Sequence, residues 1–305
     1  MTLGAVSDLS TVNELYLRTR KTLLDAGIPM PELEARELVG KAVLLKASEI
    51  ASQGYKYASE AASDRLRSLV DCRLSGTPLA HLLGEWDFLR LTLKITPDVL
   101  IPRSDTETLA LATIERCTEA GPEPRLLDLC CGSGCVGLAV ASSLPGARIT
   151  FCDISEDAMR VTRENCRNFP GIYNFVIADA LASPPTALRG FDAIACNPPY
   201  LTDAEWEALD REVKDHEPKL ALAGGKDGLI FYRSVTAYWR GCLGKNGSLL
   251  FEVGCSQAGI VSDIMSAAGF VDVVKLHDLS GIERVVAGRA EAGALCPERQ
   301  CDSHE

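Results

Sequence analysis

The segment Asp128-Leu129-Cys130-Cys131-Gly132-Ser133-Gly134-Cys135-Val136-Gly137 sets the architecture expected of this chain. It follows a short apolar run, Leu126 to Leu129, and leads into a helical pattern, which is the context a nucleotide-type loop requires. Gly132 and Gly134 let backbone approach a ligand closely, and Gly137 permits the next helix to pack tightly on a sheet. Asp153 closes the following apolar run, where a carboxylate can accept hydrogen bonds from ribose hydroxyls. The glycine spacing suits dinucleotides and S-adenosyl-L-methionine alike, so the loop alone does not choose between them.

From Asp105 onward helical segments alternate with apolar runs at 149–152, 175–177, 191–195 and 248–252. Strands alternating with helices imply crossover connections and a mostly parallel sheet, hence a Rossmann-like α/β domain over 105–289 with its ligand beyond the carboxyl ends of the strands. Two later runs, 271–276 and 284–287, predict an antiparallel edge pair. Upstream, Leu15, Thr19, Leu23 and then Leu66, Leu69, Val70 recur at helical spacing, so a small helical domain is expected over 1–82. Its Glu32, Glu34, Arg36 and Glu37 fit a solvated face. Between them, Phe88, Leu91, Leu93 and Ile95 alternate before the turn signal Thr96-Pro97-Asp98, giving a β-hairpin linker over 83–104 that Pro97 and Pro102 stiffen. Residues 290–305 lack period and core and are expected to be a disordered tail.

A second motif lies where this layout puts a strand end. Asn197-Pro198-Pro199-Tyr200 directly follows the apolar run ending at Cys196 and so belongs at the same sheet edge as the glycine loop. An amide or aniline-like nitrogen is a poor nucleophile because its lone pair is delocalised, and no ordinary side-chain base deprotonates it first. The Asn197 side-chain oxygen and the Pro198 carbonyl can each accept one N–H, aiming the lone pair at an electrophile. The two prolines restrict the backbone and pre-aim both acceptors, while Tyr200 can stack on a planar group. No metal is needed for such a reaction.

Composition narrows the classes. Of 305 residues, 42 are acidic and 31 basic, a formal charge of -11 that disfavours phosphate backbones and makes direct nucleic-acid binding unexpected. No apolar run approaches the roughly 18 residues of a membrane helix, and the first residues lack the order of a signal peptide, so a cytoplasmic location with no membrane partner is expected. Twelve cysteines are scattered without metal-type pairs, so free buried thiols are expected and no metal. Cys130, Cys131, Cys135, Cys152 and Cys196 all fall near strand ends at the glycine loop, where ordinary small core residues are the expected reading and a redox-sensitive site the alternative.

These motifs resemble the protein-(glutamine-N5) methyltransferases of peptide chain release factors, the PrmC/HemK family. The resemblance extends to Arg73 through Ala80, Leu100 through Glu107, Glu217-Pro218, Leu220-Ala221-Leu222 and Gly281 through Val285. It implies a class I S-adenosylmethionine-dependent methyltransferase domain and a helical N-terminal domain that docks the substrate protein. It implies further that Asn197, Pro198, Pro199 and Tyr200 grip the glutamine of a GGQ loop, and that Cys130, Cys131, Gly132, Ser133, Gly134, Asp153 and Asp179, with Asn197, hold the cofactor. The loop departs from the family's usual DLGTGSG in having Cys130 and Cys131 for the first glycine and the threonine. Cysteine tolerates less φ freedom, so a slightly different loop is expected. Cysteine here also occurs in a related branch acting on a ribosomal protein, which keeps that acceptor open.

An adenine-N6 nucleic-acid methyltransferase faces the same chemistry with a similar tetrapeptide, but must bind phosphate. The stretch after Tyr200 opposes this with Asp203, Glu205, Glu207, Asp210, Glu212, Asp215 and Glu217 against Arg211 and Lys214. A non-catalytic module keeping only the fold is a further alternative, which the presence of Asn197 and Asp153 disfavours.

Overall fold

The computed structural model describes residues 10–291; of the expected tail, 292–305 lie outside them. The chain forms two compact units, one reaching Glu85 and including Arg211–His216, the other made of Trp86–Asp210 and the chain from Glu217 onward. No helix among the described residues is long and apolar enough to cross a membrane.

The first unit is helical. Thr11 caps α1 (Val12–Asp25) in a capping box: its hydroxyl accepts the Glu14 N–H and the Glu14 carboxylate accepts the Thr11 N–H. The period seen in the sequence puts Val12, Leu15, Thr19 and Leu23 on the buried face. Pro31 opens α2 (Pro31–Val43), where a missing N–H costs nothing. The short α3 (Ile50–Gln53), α4 (Glu60–Leu74) and α5 (Leu79–Leu83) complete the bundle. One expectation fails here. Glu34 is not on a solvated face but buried at 8% exposure, where the Arg73 guanidinium meets it as a fork, Nε to Oε2 at 2.6 Å and Nη2 to Oε1 at 3.2 Å. A buried carboxylate needs such a partner, and Arg73 supplies it from the next long helix.

In the second unit β1 (Glu85–Phe88) and β2 (Leu91–Lys94) pair as a small ribbon, followed by the Thr96 turn, in which the Val99 N–H donates to the Thr96 carbonyl. α6 (Ser104–Ala120) leads into β3 (Arg125–Leu129), α7 (Cys135–Ser143), β4 (Arg148–Asp153), α8 (Glu156–Cys166), β5 (Ile172–Ile177) and β6 (Phe191–Cys196). After α9 (Asp203–Ala208), then α10 (Arg211–Lys214), which belongs to the first unit, and α11 (Ile230–Ser234), the strands and helix β7 (Leu243–Glu252), α12 (Ala258–Ala267), β8 (Phe270–His277) and β9 (Glu283–Ala290) close the fold. The seven-stranded sheet runs β5-β4-β3-β6-β7-β9-β8, parallel through β7 and then antiparallel. The two late runs do form the antiparallel pair, with β9 inserted next to β7 and β8 on the edge.

The acidic stretch after Tyr200 is not uniformly solvent charge. Glu217 is 5% exposed: its carboxylate accepts the Ile101 N–H at 3.1 Å and pairs with Arg103.

Candidate active site

β3 lies at the centre, with Leu129 in register with Cys152 of β4 and Cys196 of β6. The loop after β3, Asp153 ending β4 and Asn197 following β6 therefore meet at one edge. The strand order reverses between β3 and β6, the position where open α/β sheets bind ligands.

The loop owes its shape to left-handed residues at alternate positions: Cys130 at φ 59°, Gly132 at 53° and Gly134 at 79°. Cys130 thus adopts the conformation that favours glycine. At Gly134 an added Cβ would lie 2.8 Å from Thr162 Cγ2, and at Gly137 2.4 Å from Phe151 Cε1, so both are excluded by packing. α8 fastens the loop from beneath. The Thr162 hydroxyl donates to the Gly132 carbonyl at 2.7 Å, and the fully buried Asn165 donates from Nδ2 to the Ser133 carbonyl at 3.0 Å.

The loop's amides are already engaged. The Gly132 N–H donates to Asp153 Oδ2 at 2.9 Å, the Gly137 N–H to Asp128 Oδ2 at 2.8 Å, and the Gly134 N–H to the Cys131 carbonyl at 2.7 Å. The Ser155 N–H holds the other Asp153 oxygen at 2.9 Å. A dinucleotide's pyrophosphate needs free amides and no facing acid; here two of the amides are already taken by the Asp153 and Asp128 side chains. The same carboxyl oxygens, as acceptors, suit hydroxyl groups and a cation, the chemistry of S-adenosylmethionine. Burial pushes Asp128 up to about 8 and raises Asp153, so both gain from an approaching positive charge.

A cavity of about 190 Å³ opens at this edge. Among the expected cofactor residues, Cys130, Cys131, Gly132, Ser133, Asp153, Asp179 and Asn197 line it; Gly134 does not, serving as the N-cap of α7. Asp179 Oδ1 accepts the Leu181 N–H at 2.8 Å, shaping the turn after β5. Of the tetrapeptide, Asn197 and Pro199 line the cavity, whereas Pro198 and Tyr200 are not among its lining residues. Tyr200 packs on the hydrophobic core, and its carbonyl accepts the Gln257 Nε2–H at 2.9 Å. Asn197 Nδ2 donates to Thr106 Oγ1 at 3.3 Å, and no hydrogen bond among the described residues ends on the Pro198 carbonyl.

Sequence reasoning passed over Asp128, Phe231, Glu252 and Gln257. Asp128 stands beside the glycine motif and carried a signal, since a carboxylate ending a central buried strand demands a partner. Phe231 and Gln257 are brought in by tertiary packing and had none. The environment of the clustered thiols works against the thiolate form a redox sensor needs. The neighbouring Cys196 thiol, then burial, push Cys130 far above the ordinary thiol range; burial does the same to Cys131, Cys135 and Cys152. Thiols held protonated are poor nucleophiles. Cys135 moreover opens α7 and does not end a strand.

Sheet order, engaged loop and cavity together define an S-adenosylmethionine-dependent methyltransferase of the Rossmann-like class. Residues 105–224 match the methyltransferase small domain and residues 14–84 the PrmC N-terminal domain. The chain is 33% identical over 282 residues to the release factor glutamine methyltransferase of Geobacter sulfurreducens, covering 92% of this chain and 98% of that one. It is 36% identical over 274 residues to the enzyme of that name from Bradyrhizobium diazoefficiens, covering 88% and 91%. The corresponding Clostridium botulinum protein is 32% identical over 280 residues, covering 91% and 99%. The chain belongs to the release factor glutamine methyltransferase family.

Proposed function

We propose that this protein methylates the side-chain amide nitrogen, N5, of the glutamine in the GGQ motif of peptide chain release factors, in the cytoplasm. The observation that carries the reading is the pair of uncommitted acceptors beside the cavity. Asn197 spends its NH2 on Thr106, which leaves Oδ1 free, and the Pro198 carbonyl has no donor among the described residues.

When bound, S-adenosylmethionine supplies an electrophilic methyl on a sulfonium sulfur that leaves as a neutral thioether. The 130–134 loop, Asp153 and Asp179 would hold it. Asn197 Oδ1 and the Pro198 carbonyl each accept one N–H of the glutamine, which fixes the amide plane and directs its lone pair. As the nitrogen turns positive, both oxygens bind its hydrogens more strongly than in the ground state, and that difference lowers the barrier. The surplus proton then departs from the nitrogen to water. Pro199 contributes rigidity and an apolar wall, and Tyr200 anchors the motif in the core. The helical unit, residues 1–82 in the sequence-derived division, docks the protein substrate; 83–104 form the linker and 105–289 the catalytic domain.

The test is methyl transfer by the full chain, read by mass spectrometry, to intact release factor, to the same factor with its GGQ glutamine replaced by alanine, to ribosomal protein and to DNA. Methylation of the intact factor alone is expected. Modification of the alanine variant, or preference for ribosomal protein or DNA, would overturn the assignment.

A further inference from the structure

Glu252 ends β7 at 2% exposure and takes no part in the chemistry above. The β6–β7 register pairs Cys196 with Phe251, so Asn197 and Glu252 are the next residues along adjacent parallel strands. On the other side β9 pairs Val285 with Glu252. Thr106 of α6, 2% exposed, accepts the Asn197 Nδ2–H at 3.3 Å, and its hydroxyl lies close enough to the Glu252 carboxyl to favour the charged form. One Glu252 oxygen, Oε2, is buried with no hydrogen-bond partner among the described residues. Native interiors keep few such atoms, and each asks for a reason.

We propose that Glu252 is a positioning residue: as a carboxylate it fixes the direction of the Asn197–Thr106 hydrogen bonds and thereby turns the Asn197 oxygen, and not its NH2, toward the substrate amide. This rests on the reading of the tetrapeptide given above. An ionised carboxyl only accepts. The Thr106 hydroxyl beside it turns its hydrogen toward that charge, which leaves the Thr106 oxygen to accept from Asn197 Nδ2 across the 3.3 Å contact. The Asn197 amide favours the Glu252 charge as well, as a nearby N–H does, so its nitrogen faces Thr106 and Glu252 and Oδ1 is the atom left over. A protonated carboxyl, or an amide in its place, can donate instead. The chain of bonds then reverses, and a flipped Asn197 would offer N–H groups to the N–H groups it should receive.

The groups around Glu252 oppose one another. Burial disfavours its charge most, the nearby Thr106 hydroxyl favours it, Asp105 of α6 disfavours it, and Arg284 of β9 with the Asn197 amide favours it, leaving the carboxyl raised to about 7. Tyr200, Tyr232 and Cys135 also feel its charge. The orienting charge is therefore one that ordinary pH changes can remove.

Two measurements on the full chain test this. In protein carrying 15N in its asparagine side chains, the Asn197 NH2 signals, identified by their loss in Asn197→Ala, should titrate near pH 7 in the wild type and not in Glu252→Gln. In methyl transfer to release factor, Glu252→Gln should lower kcat by about tenfold or more, with KM and cofactor Kd changed less than about twofold, and should abolish the acid limb of the rate. Thr106→Val should fall between. Wild-type kcat in Glu252→Gln, or Asn197 signals that still titrate in it, overturns the proposal. If that variant does not fold, a wild-type Asn197 signal flat across pH 5–9 does the same. Should the wild type leave release factor unmethylated, the functional reading fails while the titration still judges Glu252.

Discussion

Replacing Glu252 by glutamine should change how stability depends on pH, independently of any effect on catalysis. The native carboxyl titrates near 7 against an ordinary 4.5. Below about pH 4.5 both folded and unfolded chains carry the proton, and the residue's contribution is at its most favourable. As pH rises the unfolded chain releases it first, and the contribution is lost as pH passes through about 7. Each pH unit between the two values is worth about 1.4 kcal/mol, so the wild type should lose about 3 kcal/mol relative to Glu252→Gln between pH 5 and pH 8. Any fixed cost of the new NH2, left without a partner at the Oε2 position, cancels in that difference. The three tryptophans, Trp86, Trp206 and Trp239, all belong to the second unit, so urea unfolding followed by tryptophan fluorescence reports on that unit. Stability curves of the two proteins that run parallel from pH 5 to pH 8 would refute the reasoning.

Asn197→Ala should lower the transfer rate by at least about tenfold while cofactor Kd, from calorimetry, stays within about threefold, because an acceptor felt mainly in the transition state is lost. Binding of the cationic cofactor near Asp128, which burial raises to about 8, should release protons at pH 7. Calorimetric heats would then vary with the buffer's ionisation enthalpy, and the variation should shrink in Asp128→Asn. Gly137→Ala drives a Cβ to 2.4 Å from the Phe151 ring and should destabilise the second unit by about 1–3 kcal/mol, measurable by the same fluorescence.

What the sequence disclosed follows from range. Strands such as Leu126–Leu129 and Phe191–Ala195 are apolar because both faces of a parallel strand are covered, so their identity is written locally. The glycine loop and the tetrapeptide were legible for the same reason, since each encodes its own backbone shape. Glu34 was misjudged because its partner, Arg73, lies 39 residues further along on the next long helix, and a lone glutamate on an amphipathic pattern looks solvated. Glu252 and Gln257 stayed hidden because their work is done across strands and loops. The Gln257 side chain reaches Tyr200, and only the sheet register makes Glu252 a neighbour of Asn197. The family resemblance already pointed to the cofactor, but the glycine loop by itself chose it only in three dimensions. The glycine spacing is shared with dinucleotide sites, and only the capture of the Gly132 and Gly137 amides by Asp153 and Asp128 separates them.

The backward-turned Cys130 carries a lesson for recognising distant kin. A pattern written in letters demands glycine there and would discard this chain, whereas one written in handedness, with positive dihedrals at 130, 132 and 134, would retain it. What descent must preserve at this corner is a rhythm of turns, and glycine is only its commonest spelling.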